Sequence, residues 1–247
     1  MVFDGGNIMP INMYECCVEN QKQIGQSMDY LNRTIHAAIA TNKSSAEIDS
    51  LIRLQILTLG IWAEARLQKI MNEPNSFTDT ERSIIRGNRR SKFDQWKVTV
   101  DLAYAKSRSL PVAYPINANS LSLDDQNHRQ IIHGILDQEL KEIIEIRNKL
   151  AHSQWAYPLN SNNSNINTQA QIFIQNENIL TLTFRYNLLV SITNIIRDLV
   201  VSYPTHRRDF SKIIQQLSQD RINMKTRKYS KYQANLRQSY QKHLAKF

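Results

Sequence analysis

Residues 143–155 read IIEIRNKLAHSQW, the last turns of an apolar helix that ends in one arginine, one asparagine and one histidine. Upstream, apolar residues recur at three- and four-residue spacing, the pattern of a helix with one buried face: Ile132, Ile135, Leu136, Leu140, Ile143, Ile146 and Leu150. Asn148 and His152 are four residues apart and therefore share a face of this helix. The pattern predicts a long helix over about 124–153, packed into a core.

The three polar residues at the end of this helix suit phosphodiester chemistry. Arg147 can present planar, paired donors to phosphate oxygens, and it stays charged at every relevant pH. A histidine such as His152 can take or give a proton near neutral pH. Asn148 can orient the imidazole or donate to a phosphate oxygen. Cleavage of RNA without a metal needs such groups, to deprotonate the 2′-hydroxyl, stabilise the phosphorane and protonate the 5′-oxygen.

The spacing of Arg147 and His152 bears on how such a site is assembled. Five residues turn about 140° around an ideal helix, so one helix does not aim both side chains at one point. Two copies related by a two-fold axis can face the pair across a cleft, and a symmetric dimer is the commonest oligomer. The spacing therefore favours a site between subunits.

The stretch from Arg147 to His152, RNKLAH, resembles the R-x4-6-H signature of the HEPN superfamily. The resemblance implies a helical bundle that dimerises into a composite, metal-independent RNase site without a cofactor. It also implies Arg147 and His152 as the catalytic pair, with Asn148 at the adjacent polar position. Many members are toxins or abortive-infection proteins of anti-phage defence, so the resemblance implies an antitoxin or inhibitor, either protein or RNA. The helical pattern around the motif extends the likeness over roughly 20–204.

Two simpler interpretations stand beside this one. Arg147, Lys149 and His152 can be a helix C-terminus whose cations only complement the helix dipole. Residues 237–243, RQSYQKH, also satisfy R-x5-H, but they lie in a charged tail without a deep apolar stripe, and we treat that match as a coincidence. Glu64, on the most apolar helix, is more commonly a surface or ion-paired residue, and we leave it outside the catalytic set.

The net charge of +9 favours a polyanionic partner, and it is concentrated at the end of the chain. From residue 221 onwards there are eight Lys or Arg and no Asp or Glu. Lys225, Arg227 and Lys228 are the candidate RNA-binding residues, because tyrosines interleave with these cations in a way that suits stacking on bases. The alternative is a solvated basic helix or a tail that only aids solubility.

Composition favours the cytoplasm. The two cysteines are adjacent, Cys16 and Cys17, and neighbours rarely form an unstrained disulfide. Residues 1–6 lack the basic and apolar regions of a signal peptide, and the most apolar run, 56–63, is too short to span a bilayer. We therefore expect no membrane contact. His128 and His133 have no carboxylate cluster at metal-ligand spacing beside them, so no metal site is expected.

The sequence predicts a mainly α protein, an antiparallel bundle of four to five long helices. Its predicted helices cover about 18–41, 45–72, 78–106, 124–153 and 188–202. Residues 171–184 read as a small β-hairpin inserted after the motif helix, because two β-branched, apolar runs flank a polar turn. The predicted domains are an irregular segment over 1–17, a helical domain over 18–204 and a basic, helical extension over 205–247.

These features are compatible with three functions. The leading one is a HEPN-type endoribonuclease that acts as a homodimer on tRNA, mRNA or a regulatory RNA, at single strands or loops. The alternative is an inactive HEPN-like RNA-binding or scaffold module, with its function in the basic tail and an arginine-rich third helix. A DNA-binding regulator fits less well, because no compact helix-turn-helix spacing stands out.

Overall fold

A computed structural model describes residues 12–87 and 90–244 of the chain, and within them the regular elements are helical. β pairing among these residues is limited to one isolated bridge, between Leu159 and Ile166. The helices are α1 Met13–Ala40, α2 Ser45–Asn72, α3 Asp79–Arg86, α4 Lys92–Ser107, α5 Leu123–Ile135, α6 Lys141–Ala151, α7 Thr168–Asn176, α8 Ile179–Val201, α9 Tyr203–Thr226 and α10 Tyr229–Leu244. The predicted helical bundle is confirmed.

Local capping sets where several of these helices begin. Thr78 and Glu81 form a capping box at α3: the Thr78 hydroxyl accepts from the Glu81 amide, and the Glu81 carboxylate accepts from the Thr78 amide at 2.6 Å. Ser122 caps α5, where its side chain accepts from the Asp125 amide. The cap of α2 is Ser44, and Glu47 completes its capping box.

The predicted β-hairpin at 171–184 is wrong. Residues 171–174 lie inside α7, and residues 179–184 are the first turns of α8. Asn178, expected in the turn, caps α8 instead, because its side chain accepts from the amides of Leu180 and Thr181 at 3.0 and 3.1 Å. A short apolar run does not distinguish a strand from a buried helix, and here the run continues to Val201 with buried residues at helical spacing.

The other boundary corrections concern α1 and the third helix. The helix predicted over 78–106 is divided, since Gly87 ends α3 with a φ of +39° and Ser91 caps α4. Of the irregular segment expected over 1–17, residues 1–11 lie outside the described part of the chain. Residues 13–17 belong to α1, and the Asn12 side chain accepts hydrogen bonds from amides in the first turn of this helix.

The motif helix contains a π turn. Residues Leu136–Leu140 join α5 to α6 without a break in the chain direction, and the amide of Lys141 bonds to the carbonyl of Leu136, five residues earlier. Arg185 of α8 donates to the Glu139 carboxylate and, at 3.3 Å, to the Glu139 carbonyl. One buried side chain of α8 thus holds the turn in place.

Helices α2 and α8 form the centre of the bundle. The inner face of α2 buries Ile56, Leu59, Trp62, Ala63 and Leu67 against α1, α6 and α8. Helix α8 is long and apolar enough to cross a membrane, but the core helices of soluble proteins can have the same length and composition. Since 61% of its most apolar window is buried within the fold, this composition is weak evidence for a membrane span.

The two basic C-terminal helices pack on the bundle. Helix α9 runs along α8 and buries Phe210 and Leu217. Helix α10 lies against α1, where the Tyr232 hydroxyl is 2.8 Å from His36 Nε2 and Arg237 Nε donates to the Ile39 carbonyl at 3.3 Å. These contacts hold the basic tail against the helical bundle.

Candidate functional site

The motif helix ends in a Schellman turn directly at His152. The amide of Gln154 bonds to the Lys149 carbonyl at 3.0 Å, and the amide of Ser153 bonds to the Leu150 carbonyl at 3.2 Å. Ser153 occupies the left-handed position of this motif, with a φ of +65°, where glycine is usual. The turn stops the helix at His152, so that this residue projects from the helix end.

The chain that follows the motif folds back onto it. The Lys149 ammonium donates to the Leu159 carbonyl, and the Gln154 side-chain oxygen accepts from the Leu159 amide at 2.8 Å. The bridge between Leu159 and Ile166 closes this loop. At its end the Asn167 amide donates to the Pro158 carbonyl at 2.7 Å. Lys149 therefore supports the loop, and it is not available as a free cation beside Arg147.

Arg147 lies at a close approach of α6 to α2. A Cβ built on Gly60 of α2 would lie 2.6 Å from the Arg147 Cβ and 2.7 Å from its Cγ. Real Cβ atoms essentially never show such distances, so only glycine fits at this position. The absence of a side chain at residue 60 thus lets the stem of Arg147 lie across α2.

The guanidinium of Arg147 is held by two partners. Its Nη2 donates to Glu64 Oε2 at 2.6 Å, and its Nη1 donates to Asn148 Oδ1 at 2.7 Å. The Arg147 and Glu64 side chains are 23% and 20% exposed, so the ion pair is largely shielded from water. Arg147 Nε and Glu64 Oε1 are buried without a hydrogen-bond partner among the described residues. This leaves Arg147 fixed in direction with donors still unused.

The structure brings Arg147 and Asn148 together and leaves His152 apart from them. His152 is exposed, and in the described part of the chain no hydrogen bond reaches its imidazole. Asn148 is exposed, and its Oδ1 accepts from Arg147. One copy of the chain therefore supplies an oriented cation and a free histidine, with no second group acting on that histidine.

The candidate RNA-binding residues of the tail lie together, around the junction of α9 and α10. Lys225, Arg227 and Lys228 are exposed, and the Arg227 guanidinium lies 5.5 Å from the centroid of the Phe184 ring. Arg227 and Lys228 also line a cavity of about 490 Å³ over the start of α8. These two residues present their cations on one surface.

Helix α9 also contacts the motif helix, before the motif itself. Arg221 donates to the side chain of Gln138 in the π turn. Gln138 precedes Arg147 by nine residues, roughly 13 Å along a helix axis. The described contacts do not join Lys225, Arg227 or Lys228 to Arg147 or His152. The basic surface therefore neighbours the motif without completing it.

Gly60 and Glu64 are the site residues that sequence reasoning left out. They are four residues apart on the most apolar helix, so they share a face. A glycine in a helix interior is unfavourable by about 0.5–1 kcal/mol relative to alanine, and its presence indicates a close approach by another element. A carboxylate one turn further along the same face would then have been a reasonable partner for the motif arginine. The described residues contain no cluster of three or more His, Cys, Asp or Glu suited to a metal ion.

Comparison of the chain with protein-family models, with curated proteins and with solved structures gives no match.

Proposed function

We propose that this chain is a metal-independent endoribonuclease of the HEPN type that works as a homodimer in the cytoplasm. The observation that carries the proposal is the arrangement at the end of the motif helix. Arg147 is oriented by Glu64 and Asn148, and His152 projects from the same helix without a partner. An oriented cation and a free proton-transfer group are what RNA cleavage through the 2′-hydroxyl requires.

Arg147 is suited to bind the scissile phosphate without leaving Glu64. A guanidinium carries five N–H donors, and the bonds to Glu64 and Asn148 use two of them. Nε is buried, but the second N–H groups of Nη1 and Nη2 can contact non-bridging phosphate oxygens and stabilise the charge that develops on phosphorus. Glu64 is then a positioning residue, because it fixes the direction of Arg147 and does not touch the substrate.

The proposed reaction needs two proton transfers. The 2′-oxygen attacks phosphorus as its proton is removed, and the 5′-oxygen leaves as it receives a proton, which yields a 2′,3′-cyclic phosphate and a 5′-hydroxyl. In a dimer the two copies of His152 can divide these roles. Since no second proton-transfer group bonds to His152 within one described chain, a composite site accounts for both transfers.

The proposed substrate is single-stranded or looped RNA, whose flexible backbone lets the 2′-oxygen line up with the leaving group. The exposed cations Lys225, Arg227 and Lys228 would bind its phosphates. The proposed role is that of a toxin or abortive-infection effector in anti-phage defence. Uncontrolled cleavage of RNA would harm the host, so we propose an antitoxin or inhibitor, protein or RNA.

One observation favours the alternative, an inactive RNA-binding or scaffold module. The charge of Arg147 is neutralised by Glu64 at 2.6 Å, and a salt bridge between two helices can serve stability alone. In that case the basic surface of α9 and α10 carries the function, and the motif only holds α6 against α2.

Incubation of the purified protein with tRNA and mRNA in excess EDTA distinguishes the two. We expect cleavage by the wild type with 2′,3′-cyclic phosphate ends, and a loss of at least a hundredfold in Arg147→Ala and His152→Ala. Arg237→Ala and His243→Ala, which alter the second match to the R-x4-6-H signature, are the matched controls and should cleave normally.

Cleavage that survives both motif substitutions would overturn the proposed site. An inactive wild type that binds RNA, and loses affinity in a variant with Lys225, Arg227 and Lys228 replaced by Ala, would support the binding module instead.

A further inference from the structure

A second cavity lies where the first turns of α5 and α9 meet the end of α4. It measures about 370 Å³, within the 300–1,000 Å³ that small-molecule sites usually occupy. His128, about 19 residues before Arg147 on the same long helix, is one of its lining residues. That spacing corresponds to roughly 28 Å along a helix axis, so the cavity is separate from the motif.

Four rings form one wall of this cavity. The His128 and Phe210 rings have centroids 3.8 Å apart, and the centroids of His206 and Phe210 are 4.9 Å apart. Tyr203 stacks on His206 at 5.8 Å with an angle of 23° between the ring planes. All four side chains line the cavity. Such a wall offers flat, polarisable surfaces to a planar aromatic ligand.

His206 is the unexplained group in this wall. It is only 4% exposed, and its Nδ1 is buried without a hydrogen-bond partner among the described residues. Burial lowers the pKa of His206 to about 4, so the ring is neutral at pH 7, with one nitrogen as a donor and the other as an acceptor. A buried polar group without a partner is rare in native proteins and calls for an explanation. A ligand bearing donors and acceptors would provide one.

The charged groups of the cavity differ in how far they are already engaged. Arg108 donates to Asp125 at 2.6 Å and lies over the Tyr203 ring at 4.9 Å, so both members of this pair are in use. Arg207 and Asp124 also line the cavity, are exposed, and form no ion pair with other described residues. A ligand can therefore place an anionic group at Arg207 and hydroxyl donors at Asp124.

We infer that this cavity binds a nucleotide unit, with its base against the ring wall and His206, its ribose 2′-hydroxyl at Asp124 and its phosphate at Arg207. The unit can be a free nucleoside monophosphate or an unpaired nucleotide of an RNA strand, because both present a base, a 2′-hydroxyl and a phosphate. The inference does not rest on the proposed ribonuclease activity, since binding here needs no cleavage.

Binding of the four free nucleoside monophosphates to the full chain, measured by titration calorimetry, tests the inference. Arg207→Ala and its neighbour Arg208→Ala form a matched pair: both remove one positive charge, but Arg208 is paired with Asp209 and does not line the cavity. We expect Arg207→Ala to weaken binding about tenfold or more, as for a lost charged hydrogen bond, and Arg208→Ala to change it less than twofold.

Nucleosides without phosphate separate the roles within the site. Their weaker binding should be the same in Arg207→Ala and the wild type, because the phosphate contact is absent from both. His206→Phe keeps a ring of similar size and should lose nucleosides and nucleotides alike, while its circular dichroism spectrum stays that of the wild type.

A short oligoribonucleotide with free 2′-hydroxyls distinguishes the two sources of the ligand when all variants also carry His152→Ala, which removes the proposed cleavage. Tighter binding of the oligomer than of the monophosphates, weakened by Arg207→Ala but not by Arg208→Ala, assigns the site to an RNA strand, and the reverse order of affinities assigns it to a free nucleotide. No saturable binding of either at millimolar concentration would overturn the inference. Equal losses in Arg207→Ala and Arg208→Ala would also overturn it, because they would indicate general charge attraction.

Discussion

Two arginines form ion pairs that involve the motif helix: Arg185 of α8 pairs with a residue of this helix, and Arg147 lies on it. They differ in how many of their N–H donors are used. Arg185, on α8, donates to Glu177 from Nε and Nη2, at 3.2 and 2.8 Å, and to the side chain and carbonyl of Glu139 from Nη1. Arg147, on α6, has one carboxylate and one amide, and its Nε has no partner. Arg185 uses four of its five N–H donors and supports structure, while Arg147 uses two and can still bind a ligand.

The largest loss of folding stability should come from replacing Arg185. Arg185→Met leaves the Glu139 and Glu177 side chains buried without their cation, and loss of one partner from a buried ion pair costs about 3–5 kcal/mol. Chemical denaturation should show an unfolding free energy lower by that amount. Arg147→Ala should cost less, about 1–2 kcal/mol, since Glu64 is partly exposed and can regain water. Equal losses in the two variants would contradict the distinction between them.

The buried histidine His206 should make the folded state sensitive to acid. Burial lowers the pKa of His206 to about 4, below the value near 6.5 of an unfolded chain. Between pH 4 and 6.5 the folded state therefore binds fewer protons, and stability is lost as the pH falls through this window, by up to about 3 kcal/mol. Denaturation across this range should show a flatter profile for His206→Phe. A steep profile in His206→Phe would assign the acid sensitivity elsewhere.

The fit of Arg147 against α2 should respond to a single methyl group. Gly60→Ala places a Cβ against the stem of Arg147, which forces α6 and α2 apart and costs about 1–3 kcal/mol in spite of the better helix former. Gly134→Ala and Gly25→Ala are matched controls, since a Cβ at either position meets nothing within 4 Å. They should be neutral, or more stable by about 0.5–1 kcal/mol. A Gly60 variant as stable as these controls would show that the close approach is unimportant.

The smallest change in stability, about 1 kcal/mol, is expected for Glu64→Gln, which keeps a hydrogen-bond acceptor for Arg147 but removes its charge. If the proposed ribonuclease activity is present, kcat should fall about tenfold while KM stays constant or decreases. Arg147 would be less firmly directed, yet more available to phosphate. A rise in KM at constant kcat would indicate that Glu64 acts on substrate binding and not through Arg147.

Local features of the fold were readable from the sequence, and contacts between distant segments were not. The helix starts at Thr78 and Ser122 follow from side chains a few residues away. The pairing of Glu64 with Arg147 joins residues 83 positions apart, and only the packing of α6 on α2 at Gly60 brings them together. The hairpin prediction failed for a related reason, because burial on the bundle keeps a β-branched run helical over 179–201.

The π turn at Leu136–Leu140 determines the direction, around the helix axis, in which the side chains of α6 point. Each residue advances an α-helix by about 100°, and a π turn accommodates one extra residue within nearly the same length. Compared with an unbroken α-helix that continues α5, the direction of Arg147 around the helix axis is therefore rotated by about 100°. A chain with one residue fewer here could keep the same apolar positions in α5 and still direct its arginine away from Gly60. The orientation of the motif thus depends on a single inserted residue, several turns before the residues that would perform the chemistry.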